Sequence, residues 1–157
     1  MFVTKKTMKN TFNLNPSLKP LEVLIGNWDM EIFNASFLPD MSSKVRGKAS
    51  FEWTKEGAYL QIYQGDKVAG TPLASWLISR DESKKEFTIF YYDDRNVSRI
   101  YQMSFDNRIW EIWRKAPGFS QRFKGTVSKD GKSITASWEN STNGRVWKHD
   151  FDMIYSR

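Results

Sequence analysis

An all-β fold, a single closed antiparallel barrel of about ten strands with a short N-terminal plug helix, is predicted by three features of this sequence. Short runs of alternating apolar and polar residues follow one another from Asn27 to Tyr155, with Gly, Asp, Asn and Lys clusters between them. The apolar content is concentrated in 7 Trp, 11 Phe and 6 Tyr, flat side chains that favour strands. Asp130-Gly131 and Asn143-Gly144, dipeptides suited to tight hairpins, separate the last three runs. One domain accounts for 157 residues, and a domain of that size buries roughly 70% of its unfolded surface.

In chain order, residues 1–14 are polar, mixed and aperiodic and read as a flexible arm, which leaves 15–157 as the barrel domain. Asn15-Pro16-Ser17 offers a helix start, with Leu18, Leu21, Leu24 and Ile25 at helical spacing before Gly26 stops the turn. Strands are expected over Asn27–Ala35, Lys44–Trp53, Ala58–Gln64, Ala74–Arg80, Glu86–Tyr92, Val97–Phe105, Arg108–Lys115, Phe119–Val127, Ser133–Asn140 and Arg145–Tyr155.

Counting outward from two-residue turns gives a register for the late strands. Across Asp130-Gly131, Phe123 faces Trp138 and Val127 faces Ile134. Across Asn143-Gly144, Trp138 faces His149, Ala136 faces Phe151 and Ile134 faces Met153, forming one apolar face. The alternate residues, Arg122, Glu139 and Lys148, make a charged ladder that belongs in water. A turn at Asp106-Asn107 places Met103 opposite Trp110, Tyr101 opposite Ile112 and Arg99 opposite Arg114, all on the inner face.

The segment Leu24-Ile25-Gly26-Asn27-Trp28, following a short helix, resembles the Gly-x-Trp opening of lipocalins and other calycins. The resemblance implies an Arg from a late strand packed over Trp28 to close one barrel end, with Arg157 of Tyr155-Ser156-Arg157 as the candidate. The stretches Gly47–Trp53, Arg99–Phe105, Gly118–Phe123 and Trp147–Asp152 look like a group of bacterial calycin-like proteins with no assigned activity. That likeness runs from about Leu21 to Arg157 and speaks to fold alone.

Two other calycin-like families offer chemical comparisons. Arg99, Tyr101 and Arg114 imitate the internal Arg pair and Tyr with which fatty-acid-binding proteins hold a carboxylate, although there the Arg-x-Tyr unit lies in the final strand. Nitrobindins are haem barrels with a proximal His in the last strand, as His149 is here, but this chain lacks their Gly-x-Gly-x-Tyr-Pro opening.

Three groups of residues stand out as candidates. His149, the single histidine, is expected inside beside Trp138, where an imidazole could contact a ligand, act as a base or ligate haem iron. A neutral ring bonded to Asn140, Gln121 or water is the structural alternative. Arg99 and Arg114 on one inner face call for an anion between them, or else a wet rim or pairing with Asp93 or Asp94. Inward rings, Trp28, Phe51, Trp53, Trp76, Trp110 and Trp138 with Phe123 on the same face, either fill the barrel or line a place for a flat ligand.

The function expected on these grounds is binding of a small hydrophobic or aromatic ligand, with or without an anionic group, inside the barrel. An isomerase, cyclase or hydrolase using His149 is the enzyme alternative. No cofactor is required, haem through His149 being the exception considered.

With 0 Cys and 1 His, multi-His and thiolate metal sites are ruled out, and 0 Cys suits a reducing cytoplasm. Lys5, Lys6 and Lys9 are followed by no apolar run suited to a signal peptide, and nothing reaches the length of a membrane span. The net charge of +6 alternates along the chain and reads mainly as a solvated exterior, while inward aromatics argue against a nucleic-acid platform. Oligomeric state is left open, a homodimer included.

Overall fold

The computed structural model describes residues 13–54, 57–68 and 70–157, so most of the 1–14 arm lies outside the described residues. Ten strands follow one another: β1 (Gly26–Phe33), β2 (Val45–Trp53), β3 (Leu60–Asp66), β4 (Thr71–Ser79), β5 (Phe87–Asp93), β6 (Ser98–Asp106), β7 (Ile109–Arg114), β8 (Ser120–Val127), β9 (Ser133–Ser141) and β10 (Lys148–Ser156). Each pairs antiparallel with its neighbours in sequence, and β10 also pairs with β1, which closes the sheet and removes its edges. The chain forms the all-β barrel expected of it.

Because successive strands alternate in direction, the loops β1–β2, β3–β4, β5–β6, β7–β8 and β9–β10 leave from one end, called here the open end. The remaining loops and the helix share the other.

The helix is a 3-10 helix, Pro16–Leu24, with Pro20 inside it, a residue that would break an α-helical ladder. Three residues per turn stack Leu18, Leu21 and Leu24 on one face, and all three are fully buried beneath the barrel. The Asn15 Oδ1 accepts from Ser17 N at 3.0 Å and caps the first turn.

Gly26 follows with φ +132°, and a Cβ there would stand 2.8 Å from Arg157 Nη1. Glycine thus admits the guanidinium, which lies 3.9 Å from the Trp28 ring centroid and donates to the carbonyls of Val23, Ile25 and Gly131. The Trp28 Nε1 donates to Leu24 O at 2.8 Å. The packing that the Gly-x-Trp resemblance implied for Arg157 is therefore present at the helix end.

The counted registers fare unequally. Phe123 faces Trp138 and Val127 faces Ile134 as counted. Between β6 and β7 the turn is Asn107-Arg108, both left-handed at φ 49° and 64°, one residue later than Asp106-Asn107. A turn displaced by one residue moves each partner by two, so Met103 faces Ile112 and Phe105 faces Trp110. The inward set survives; the partners change. Extending that register puts Arg114 opposite Tyr101, not opposite Arg99.

The β9–β10 register departs further. In place of a two-residue turn, residues 142–147 form a connection held by side chains. Ser141 Oγ accepts from Gly144 N at 2.9 Å, and Asn143 Oδ1 accepts from Arg145 N at 2.8 Å and Val146 N at 2.9 Å. Lys148 then pairs with Asn140 and His149 with Glu139, before a bulge between His149 and Phe151 lets Phe151 face Trp138. The bulge returns Phe151, Met153 and Tyr155 to the interior while His149 stays on the outer face. The expectation of an inward His149 is corrected by that one extra residue.

Rings pack along the length of the interior. Trp28, Phe51, Trp110 and Tyr155 form an edge-to-face cluster at the helix end. Phe123 links it to the open half, 4.9 Å from Trp110 and 5.1 Å from Trp138 by ring centroid. Trp76, Tyr91 and Tyr101 complete the series. The space in which the sequence allowed a small ligand is largely occupied by side chains of the barrel itself.

Candidate functional site

Strand alternation brings a polar ladder to the inner face of the open end. Arg99 on β6 stands opposite Tyr91 on β5, and Arg114 on β7 is opposite Gln121 on β8. Gln121 is in turn opposite Asn140 on β9, and Asn140 opposite Lys148 on β10. Gln121 Oε1 accepts from Tyr101 OH at 2.8 Å and from Arg99 Nη1 at 3.2 Å. The Arg99 guanidinium rests 5.2 Å from the Phe119 ring centroid, and that of Arg114 lies 6.0 Å from Tyr101's.

Neither Arg99 nor Arg114 has a carboxylate within ion-pair distance among the described residues. The acid considered for them, Asp93, is fully buried but committed elsewhere. Arg95 Nη2 donates to its Oδ2 at 2.7 Å, Tyr91 OH donates to the same oxygen at 2.6 Å, and Arg95 N donates to Oδ1 at 2.9 Å. Burial alone would raise the Asp93 carboxyl, yet the bonds from Arg95 and Tyr91 outweigh it and hold the group far below the usual carboxylate range. Burial pushes the phenols of Tyr91 and Tyr101 up, so both stay protonated donors at neutral pH. Asp94 accepts from the Leu73 amide instead of from either inner arginine.

The floor beneath the ladder is aromatic. Trp76 stacks on Tyr101 at 6.0 Å with planes 15° apart, and Trp138 meets Tyr101 edge-on at 5.9 Å. Solvent reaches this half: Trp138 keeps 6% of its surface, Gln121 7% and Tyr91 8%, against 1% for Phe51 and Trp110 near the helix end. The Trp76 Nε1 is buried without a hydrogen-bond partner. Trp110 Nε1 is in the same condition in the closed half, so an orphaned indole does not by itself mark the site.

Of the residues singled out in the sequence, Arg99, Tyr101, Arg114, Gln121, Asn140 and Trp138 come together at this mouth. Phe123 sits deeper, between Trp110 and Trp138, and Trp110 belongs to the helix-end cluster, away from the arginines. His149 lies outside the barrel with its Nε2 2.9 Å from Asp152 Oδ1, and Asp152 also accepts from Asn34 Nδ2 at 2.9 Å. It is the chain's single histidine, so the residues present do not fit a His-ligated haem within the barrel, nor an interior imidazole base.

Trp76 was expected only as one inward ring among several and Asp93 only as a partner acid for the arginines, while Tyr91 and Lys148 were not anticipated at the mouth. Tyr91 and Asp93, two apart on β5, share a face, so the pair could have been marked by alternation, whereas Arg95 reaches Asp93 from the turn that follows the strand. Lys148 could not be found without knowing of the bulge. Another depression of the surface lies elsewhere, on the outer wall around Asn27, Lys48, Ser50, Tyr63 and Leu73. It is shallow and its Lys48 is paired with Asp29, so the mouth, with its unpaired arginines, is the candidate.

No protein-family model matches the chain, and no curated protein matches it in sequence. Among solved structures it is similar to the crystal structure of Rv2717c from M. tuberculosis, with a TM-score of 0.65 over 92% of this chain and 99% of that one, at 14% identity. A likeness at that identity is one of fold: the two chains share the barrel.

Proposed function

We propose that this protein binds a small amphiphile at the open end of the barrel, its anionic group on Arg99 and Arg114 and its apolar or aromatic part on the Trp76, Tyr101 and Trp138 floor. The observation that carries the reading is a pair of half-buried guanidinium groups on adjacent strands, Arg99 with one amide oxygen and Arg114 with a ring, and neither with a carboxylate among the described residues. Charges out of bulk water are normally matched, and a carboxylate accepts two parallel bonds from a guanidinium fork. Gln121 already engages the Tyr101 hydroxyl, which leaves the guanidinium N–H groups as the donors an anion would meet. Because rings occupy the deeper barrel, the ligand sits at the mouth and not in a central cavity.

The test compares a fatty or aromatic acid with its matching alcohol, read by quenching of tryptophan fluorescence and by calorimetry. Arg99→Met or Arg114→Met is expected to weaken the acid by about 2 kcal/mol, roughly thirtyfold, since a hydrogen bond to a charged group is worth about 1.5–3 kcal/mol. The alcohol should change little. Equal affinity of the unmutated protein for acid and alcohol would sink the proposal.

A further inference from the structure

The loops of the open end carry a pattern that the ligand reading does not use. They span residues 34–44, 67–70, 94–97, 115–119 and 142–147. Four of these five expose large apolar side chains: Phe37 at 60% and Met41 at 65%, then Val68, Phe119 and Val146. Among the described residues the comparable ones at the helix end are Tyr59 and Ile109, and residues 80–86 and 128–132 are polar throughout. Solvent-exposed apolar tips gathered on one end, each on a different loop, are a liability unless something covers them.

Charge accompanies the tips. Every open-end loop holds one cation, Lys44, Lys67, Arg95, Lys115 and Arg145, against the two acids Asp40 and Asp94. Lys148 and the arginine ladder add to this from just inside the rim. Lys44 is paired with Glu31 and Arg95 with Asp93, but Lys115 and Arg145 have no carboxylate within ion-pair distance among the described residues. The remaining acids of these loops are engaged locally, Asp40 accepting from Ser42 and Asp94 from Leu73.

We infer that the open end docks on an anionic lipid bilayer, with Phe37, Met41, Phe119 and Val146 entering the interface and Lys115 and Arg145 meeting headgroup phosphates and carboxylates. Apolar tips interleaved with cations match the two layers of such a surface: an acyl boundary that takes the first and a negative potential that attracts the second. A second protein would need carboxylates for Lys115 and Arg145 threaded between apolar pockets for tips on four separate loops. A fluid bilayer meets that arrangement without a fixed complement. The docking does not depend on the amphiphile reading: Phe119 carries the Arg99 guanidinium, but Phe37, Val146, Lys115 and Arg145, the residues changed below, are neither the inner arginines nor the rings on which those rest.

Sedimentation of the full chain with phosphatidylcholine vesicles, with and without phosphatidylserine, tests it, with both inner arginines left intact. Binding should require phosphatidylserine and weaken as salt is added. Lys115→Glu with Arg145→Glu should reduce partition at least roughly twentyfold, on the basis of about fivefold per cation near such a surface. Phe37→Ser with Val146→Ser should abolish the binding that survives high salt. Lys129→Glu with Lys132→Glu makes the same change of charge at the helix end and should bind as the unmutated protein does. Three results overturn the inference: equal partition onto neutral and anionic vesicles, equal loss from the helix-end pair, or self-association through these tips with no vesicle binding.

Discussion

The two ends of this barrel hold arginines in opposite ways. At the helix end Arg157 lies on the Trp28 ring with three backbone carbonyls converging on it, so its charge is answered by the fold. At the open end Arg99 has one amide oxygen and one ring, and Arg114 has a ring. The surrounding side chains are of the same kinds, Trp, Tyr and Phe, so the difference lies in how many acceptors the backbone turns toward each guanidinium. Where carbonyls converge an arginine is structural, and where they do not it remains available to a partner.

If that contrast holds, stability should reside at the helix end. Trp28 is 2% exposed, packs edge-on against Phe51 and Tyr155, and supports Arg157. Trp28→Ala should cost about 3–5 kcal/mol, the range for removing a large buried aromatic. Arg114→Met, which takes away no ion pair, should stay within about 1 kcal/mol of the unmutated protein. Denaturant unfolding of both variants reads the difference, and equal losses would break the comparison.

The Asp93 cluster sharpens it, as a fully buried carboxylate of the open half whose charge is matched. The carboxyl of Asp93 is depressed in the folded chain, so the stability it contributes is present above the ordinary aspartate pKa of about 4 and is lost as pH falls below that toward its folded value. Asp93→Asn should cost about 2 kcal/mol at pH 7, because bonds to a charged acceptor are replaced by weaker ones. The gap between the two proteins should narrow below about pH 4. A gap constant from pH 7 to pH 3 would mean that Asp93 is not ionised in the folded protein.

How far the molecule can be read from its sequence follows from where the information is local. Alternation is local, and the ten strands and most of the inward set follow from it. The resemblance carried Arg157 to Trp28, because the Gly-x-Trp segment and the chain's last residues meet by barrel closure. Register is set by turns, and turns depend on side-chain bonds that a dipeptide does not reveal. Asn107-Arg108 adopts two left-handed residues without glycine, and Asn143-Gly144 is drawn into a longer connection by Ser141 and Asn143. The first displaced partners by two and kept Arg99, Tyr101 and Arg114 on one face. The second, with its bulge, moved His149 from the interior to the exterior, and every role that depended on an inward imidazole moved with it. Whether rings fill or line a barrel is likewise not written in their parity, since both outcomes use the same alternation.

The smallest expected effect is at His149, and it tests the bulge directly. On the outer face the ring stands opposite Glu139 and bonds Asp152, at 45% side-chain exposure. Exposed pairs contribute roughly 0–1 kcal/mol, and Asp152 would retain its bond from Asn34 after the ring is removed. His149→Ala should therefore cost less than about 1 kcal/mol in denaturant unfolding. Hemin added to either protein should give the same absorbance, because an outer-wall imidazole has no enclosed porphyrin site beside it. An inward ring packed on Trp138 would behave otherwise: its loss would open a cavity and cost about 2 kcal/mol or more. A loss of that size, or a sharp Soret band that disappears with the substitution, would return His149 to the interior and restore the two-residue turn at Asn143-Gly144.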